Sequence, residues 1–229
     1  MSAVPEQSIL PASRLAQLRE AREIIVHEGQ ELLALARRLD TRFCDAVDLL
    51  GACHGSVMVT GVGKAGLIGR KIAATLSSTG TRAHFVHPTE ALHGDLGCVG
   101  PGDVWLMLSN SGETEEICRL LPLIGERGLP VVAITASDAT TLGAAADITI
   151  TLGRLVEAGV HGLAPSTSTT AMLAIGDALA LVISQVRNFT PQQFAAFHPG
   201  GSLGRRLASV KDIMRKGEQV RIASETSTI

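Results

Sequence analysis

The sequence predicts an α/β fold built on a buried parallel sheet, and three observations carry that reading. Five short runs, VMVTG (57–61), AHFVH (83–87), VWLMLS (104–109), VVAIT (131–135) and ITITL (148–152), are continuously apolar. Strands covered on both faces of a parallel sheet look like this. Helical stretches separate most of the runs, which argues for right-handed βαβ units. The chain of 229 residues is 45% apolar and 18% charged, enough to bury one large core without disulfide or metal staples.

The elements follow in order. Residues 13–39 predict a long helix, because Leu15, Leu18, Ile25, Leu32, Leu35 and Leu39 recur near the 3.6-residue period. A second helix spans 42–53 and ends near Gly55. Helices are also expected over 66–78, about 114–127 and, more weakly, 138–146. A last long helix fills 169–187, with Ser168 or a neighbour as its cap. Beyond it, RNFTPQQFAAFHPGGSLGRRL is polar and Gly-rich, and VKDIM turns apolar again.

Composition removes several function classes. The net charge of −2 gives no electrostatic case for nucleic acid. Aromatic content is 3%, with no Tyr and one Trp, so base-stacking platforms are not expected. The apolar runs are broken by charges, as at Asp177 in AMLAIGDALALVI, and none reads as a membrane span. The start, MSAVPEQSILPASR, lacks a basic-then-apolar signal pattern. Cys44, Cys53, Cys98 and Cys118 show no metal-ligand spacing. The expectation is a reduced, cytoplasmic protein.

In an open α/β sheet, ligands bind beyond the carboxyl ends of the strands. After the first strand stands Gly61-Val62-Gly63-Lys64-Ala65-Gly66, a literal G-x-G-x-x-G. The dinucleotide reading also asks for an acid after the second strand, and HFVHP has none. A phosphate loop would need glycine at 58 and a hydroxyl at 65, where Met58 and Ala65 stand. Two readings stay open: a tight strand-to-helix turn, or a loop offering N–H groups and Lys64 to an anion. After the third strand, Ser109-Asn110-Ser111-Gly112-Glu113-Thr114-Glu115-Glu116 is either a phosphate cradle at a helix start or a capping box at Ser111. After the fifth, five consecutive hydroxyls from Ser166 to Thr170 exceed what a cap needs and suggest a second anion contact. His27 and His54 read as surface residues and His84 as structural. His87 and His93 flank PTEAL, His161 sits in a loop, and His198 lies in His198-Pro199-Gly200-Gly201.

GVGKAG, STGTRAHFVHPTEALHGDLG, SNSGETEE, LAPSTSTTAMLAIGDALA and FAAFHPGGSLGRRL, in this order, resemble the sugar isomerase domain of arabinose 5-phosphate isomerases. The likeness spans roughly residues 20–214. It implies a three-layer αβα sandwich with a five-stranded parallel sheet over 56–208, and N-terminal helices (1–55) packing on it. Residues 209–229 resemble the opening of a cystathionine-β-synthase-type module. The resemblance implies interconversion of D-ribulose 5-phosphate and D-arabinose 5-phosphate, feeding the octulosonate of lipopolysaccharide. It implies a phosphorylated sugar as ligand, no cofactor, and a homotetramer with shared active sites. Carried over by position, the catalytic groups are Lys64, His93, Glu116, Glu157 and His198. The substrate-binding groups are Gly63, Gly80, Thr81, His87, Ser109, Asn110, Ser111, Thr114, Ser168 and Thr169. Zinc often inhibits the family, and His87 or His93 is the ligand implied for it.

Two departures stand in the resemblance. The family has Ser after the lysine of GxGK, where this chain has Ala65. It also reads E-A-C-P-x-G-L-A-P, where this chain has Glu157-Ala158-Gly159-Val160-His161-Gly162-Leu163-Ala164-Pro165. The second leaves the placement of Glu157 and the choice of phosphosugar open. Aldose–ketose isomerisation needs a carbon base, which is Glu157 or Glu116, and help with ring opening from His198 or His93. Lys64 would stabilise the oxyanion. The alternatives are an isomerase of another phosphosugar and a non-catalytic sugar-phosphate sensor.

Overall fold

The computed structural model describes residues 13–199 and residue 214, and all five expected strands form. They are β1 (Val57–Gly61), β2 (Ala83–Phe85), β3 (Val104–Leu108), β4 (Val131–Thr135) and β5 (Ile148–Thr151). Every pairing is parallel, in the order β2-β1-β3-β4-β5. The helices are α1 (Arg14–Arg38), α2 (Thr41–Gly51), α3 (Gly63–Ser78), α4 (Pro88–Leu92), α5 (Glu115–Gly125), α6 (Thr141–Ala145), α7 (Thr167–Val186) and α8 (Pro191–Phe197). A 3-10 turn covers Asp95–Cys98.

Alternation along the strands builds two cores. Val57, Val59, Leu106, Leu108, Val132 and Ile134 face one side, packed with Leu50 of α2, Ile72 and Leu76 of α3, and Ile175 and Leu179 of α7. Met58, Trp105, Met107, Val131 and Ala133 face the other, with Ala91 of α4, Ile117, Leu120 and Ile124 of α5, and Leu142 of α6. The molecule is the expected three-layer αβα sandwich. Both faces of the sheet are covered, which is why the strands read as unbroken apolar runs.

Several boundaries move for local reasons. The second strand stops at Phe85, two residues early. Val86 N–H still bonds Val59 C=O at 2.9 Å. Pro88 then opens α4, with His87 as N-cap, and a proline at the first helical position suits a helix start rather than a ladder. The expected cap Ser168 lies inside α7, whose N-cap position is Ser166. The helix expected over 138–146 shrinks to α6, and α4, α8 and the 3-10 turn are additions that the apolar period did not reveal. Segment 209–229, read as the opening of a further module, lies outside the described residues except for exposed Met214, and so do Gly200 and Gly201.

Two helices depart from expectation in what they cover. On α1 only Leu35 is buried, while Leu15 is 77% and Ile25 is 70% exposed. Its apolar period is real, but most of the stripe has no partner among the described residues. Helix α7 is long and apolar enough to cross a membrane by length and composition, contrary to the reading of the runs. In the fold it is a central helix, with Ala171, Met172, Ile175, Leu179, Ala180 and Ile183 in the core.

Candidate active site

The chain leaving β1 turns through α3 to β2, and the chain leaving β3 turns through α5 to β4. The two connections diverge from neighbouring strands. A crevice therefore opens beyond the carboxyl ends of β1 and β3, the topological switch point where ligands bind in open α/β sheets.

The β1 side of the crevice is a close glycine turn. A Cβ on Gly66 would meet Gly61 O at 2.6 Å, and Gly63 has φ +57°. That positive φ is a conformation glycine adopts freely. Val62 occupies the N-cap position of α3 and gives no side-chain cap bond. Lys64 follows, exposed, on the first turn of α3.

The β3 side is a hydroxyl cluster. Ser109, 3% exposed, places Oγ 2.7 Å from Thr114 Oγ1 and 3.5 Å from Ser111 Oγ, and accepts Gly112 N–H at 3.1 Å. Ser111 Oγ accepts Glu113 N–H at 3.2 Å. The capping-box reading does not form: Thr114 holds the N-cap position of α5 without a side-chain cap bond. Glu113 is drawn elsewhere, accepting Thr141 N–H and Thr141 O–H at 2.7 Å each, which holds its carboxyl below the usual glutamate range. Asn110, exposed, ties the loop to β4, its carbonyl accepting Ala136 N–H at 3.0 Å. Glu116, half-buried in the first turn of α5, makes no hydrogen bond or ion pair among the described residues. Hydroxyls, free helical N–H groups and a nearby lysine together suit a phosphate.

Beyond β5 the run of hydroxyls is already occupied. Glu157 Oε2 accepts Ser166 N–H at 2.8 Å and Ser168 N–H at 3.2 Å. Burial pushes the Glu157 carboxyl up, but hydrogen bonds from Ser168 and Ser166 outweigh it and hold it below the usual range. Ser168 is 2% exposed, and the Thr169 hydroxyl donates to Ser166 O at 2.9 Å. Thr170 O–H donates to Glu28 of α1. The anion at this helix start is the protein's own carboxylate.

The histidines divide. His87 Nδ1 accepts Thr89 N–H at 3.3 Å as the cap of α4, and His93, exposed, ends that helix. Among the described residues no three of His, Cys, Asp and Glu gather to hold a metal, so the zinc implied for His87 has no ready donor set there. Gly80, Thr81 and His198 lie at the opposite end of the sheet. Gly80 and Thr81 precede β2, and Arg187 donates to Gly80 O and Thr81 Oγ1 at 3.3 and 3.2 Å. A Cβ on Gly80 would meet Phe189, which stacks on Phe197 beside His198. The structure thus brings Gly63, Lys64, His87, His93, Ser109, Asn110, Ser111, Thr114, Glu116, Glu157, Ser168 and Thr169 to the loops past the carboxyl ends. It leaves Gly80, Thr81 and His198 apart.

One hydroxyl escaped the sequence reading. Thr60, at the carboxyl end of β1, is 0% exposed, and its side-chain oxygen has no hydrogen-bond partner among the described residues. Its only sequence signal is a polar residue inside an apolar run. Thr167, in the hydroxyl run already singled out, is the first residue of α7, 1% exposed and likewise without a side-chain partner among the described residues.

The SIS domain model matches residues 52–182 of the chain. A probable arabinose 5-phosphate isomerase of Haemophilus influenzae is 43% identical over 212 residues, covering 92% of this chain and 63% of that protein. An arabinose 5-phosphate isomerase of Yersinia pestis is 43% identical over 209 residues, covering 91% and 64%. The chain therefore spans just under two thirds of the length of these relatives. A protein of Escherichia coli CFT073, solved in complex with arabinose 5-phosphate, superposes with a TM-score of 0.80 at 38% identity, covering 82% of this chain and 100% of that one.

Proposed function

The chain belongs to the SIS domain family, and from that premise we propose that it interconverts D-ribulose 5-phosphate and D-arabinose 5-phosphate through an enediolate. The carrying observation is the hydroxyl cluster of Ser109, Ser111 and Thr114 at the uncapped N-terminus of α5, across the crevice from Lys64. A phosphate held there fixes the sugar for proton transfer at its other end. The names of the relatives in Haemophilus and Yersinia support the substrate pair.

The reaction moves one carbon-bound proton between adjacent carbons and needs neither redox cofactor nor metal. A carboxylate takes that proton and returns it, and a positioned base of this kind contributes about 10²–10⁴-fold. Lys64 balances charge that develops on the sugar oxygen. His93 or His198 moves protons during ring opening. His198 lies at the far end of its own sheet, so in this reading it serves the crevice of a neighbouring copy. The exposed apolar stripe of α1, including Leu15, Leu18 and Ile25, supports a homo-oligomer, which we take to be a tetramer. Four free cysteines support a reducing, cytoplasmic setting. The product would feed octulosonate synthesis.

The departure at 158–162 gives a second phosphosugar a specific basis, so the test is a panel. Chelator-treated protein is mixed with pentulose, hexulose and heptulose phosphates in deuterated water and followed by proton NMR. Equilibration with deuterium uptake for ribulose 5-phosphate is expected. Exchange with another sugar only would reassign the substrate, and exchange with none would leave a binding protein.

A further inference from the structure

The hydroxyl loop between β3 and α5 is fastened on one side only. Leu142 N–H donates to Gly112 O and Ala136 N–H to Asn110 O, at 3.0 Å each. Gly112 lies so close to this support that a Cβ there would run into Thr140 and would meet Thr135 Oγ1 at 2.7 Å. Glu113 adds the side-chain tie. Its Oε1 accepts Thr141 N–H and its Oε2 accepts the Thr141 hydroxyl, at 2.7 Å each. Thr141 opens α6, which is itself rooted: Leu142 is 0% exposed in the second core, and Thr149 O–H donates to Gly143 O at 2.9 Å. Helix α6 follows β4, so these ties lie on the side of the loop away from β1 and Lys64.

We propose that Glu113 is a positioning residue for the phosphate: by clamping Thr141 it sets the 109–114 turn against α6 and keeps Ser111 and Thr114 in place as donors. The identity of the sugar that carries the phosphate rests on the isomerase reading above. Residue 113 lies between the two hydroxyls, and its N–H donates to Ser111 Oγ at 3.2 Å. A hydroxyl that accepts one bond still has its proton to give, so Ser111 is oriented by Glu113 and remains a donor. A shift of Glu113 would move Ser111 and Thr114 together. Charge alone argues in the opposite direction. A carboxylate near an anion repels it, so an acid with no positioning role would weaken phosphate binding, and its removal would tighten it. The sign of the change therefore separates the two roles.

Inorganic phosphate is titrated into the full chain and followed by ¹H–¹⁵N NMR at Ser111, Thr114 and their neighbours, which needs no turnover. Glu113→Ala loses the charge and both ties, and is expected to bind phosphate about threefold to tenfold more weakly. Its KM for ribulose 5-phosphate should rise by a similar factor, with a much smaller change in kcat. Glu113→Gln loses the charge but keeps both ties, because its amide oxygen accepts Thr141 N–H while its NH₂ donates to the Thr141 hydroxyl. It is expected to bind phosphate at least as tightly as wild type. Thr141→Val keeps the charge, loses the hydroxyl tie, and should bind more weakly than wild type. An alanine variant that binds as tightly as wild type or tighter would overturn the proposal, as would a glutamine variant weakened as far as alanine. If Glu113→Ala does not fold, the other two decide: wild-type affinity or better for glutamine with weaker binding for valine supports the clamp, and any other order overturns it. Phosphate that shifts no signal between 109 and 116 in the wild type also overturns it. A wild type that binds phosphate there but turns over no phosphosugar would remove the isomerase reading and leave the clamp to be decided by the variants.

Discussion

Ser109 and Thr114 bring their hydroxyls to 2.7 Å across the turn that leads from β3 into α5. Ser109 is almost fully buried, and its oxygen also accepts Gly112 N–H, so the turn is held from inside. Ser111, exposed, and Thr114, half-exposed, remain on the solvent side with the uncapped N–H groups of α5 behind them. A phosphate reaching this point meets donors already in place and need not order them, which lowers the entropic cost of binding.

Ser111→Ala and Thr114→Ala should therefore weaken phosphosugar binding and leave the chemical step alone. Each lost donor to an anion is worth about 1.5–3 kcal/mol, or roughly ten- to hundredfold in KM. Steady-state kinetics with ribulose 5-phosphate measures it. An unchanged KM in both variants would reduce the loop to a structural turn.

Gly66→Ala should destabilise the fold rather than alter catalysis directly. The added Cβ would meet the backbone oxygen of Gly61 at 2.6 Å, and backbone cannot move aside as a side-chain tip can. Overpacking of this sort costs about 1–3 kcal/mol, and each kcal/mol lowers the melting midpoint of a chain this size by about 2–4 °C. Calorimetry that shows no drop would mean that the strand-to-helix turn relaxes.

The sheet was legible because burial on both faces writes continuous apolar runs, and β1, β3, β4 and β5 all end within one residue of expectation. β2 was read two residues too long because Val86 carries on its apolar texture and still bonds Val59 C=O, while His87 already caps α4. The GxGK turn and the hydroxyl loop were legible as candidate anion contacts from residue type and position after a strand. The role of Ser166 and Ser168 was not, since the anion their N–H groups meet is Glu157, and a bond from Oε2 to a backbone nine residues on leaves no periodic trace. The placement of His198 was equally hidden. His198 ends α8, and it is packing, of Phe189 against Gly80 and Phe197 and of the His198 ring on Phe194, that sets it at the amino-terminal end of the sheet.

Acid should unfold the wild type partly through Glu157. Its folded-state carboxyl lies below the ordinary glutamate value of 4.5. A depressed pKa adds stability that is present in full above the unfolded value and disappears as pH falls through the folded one. The melting midpoint of wild type should thus fall faster than that of Glu157→Gln as pH drops below about 4.3. Parallel curves for the two proteins would show that the hydrogen bonds to Ser166 and Ser168 do not discriminate the charged form.

His198 gives the last prediction, because its position sets where it can act. Its ring stacks on Phe194 with centroids 4.0 Å apart, and Nδ1 lies 2.8 Å from Phe194 O. A carbonyl only accepts, so Nδ1 carries the proton and Nε2 is left to exchange one. That nitrogen stands at the amino-terminal end of the sheet, while Lys64 stands beyond the carboxyl ends. A site that uses both must therefore join two copies of the chain. Lys64→Ala and His198→Asn proteins should each be nearly inactive alone. Mixed in equal amounts under conditions of subunit exchange, each crevice draws its lysine from one copy and its histidine from another. One site in four then holds both native residues, so activity should recover to about a quarter of wild type in a closed symmetric assembly. No recovery, with exchange verified by mass spectrometry, would mean that a single chain supplies both residues or that His198 takes no part. Near-normal turnover by His198→Asn alone would confine the histidine to packing on Phe194.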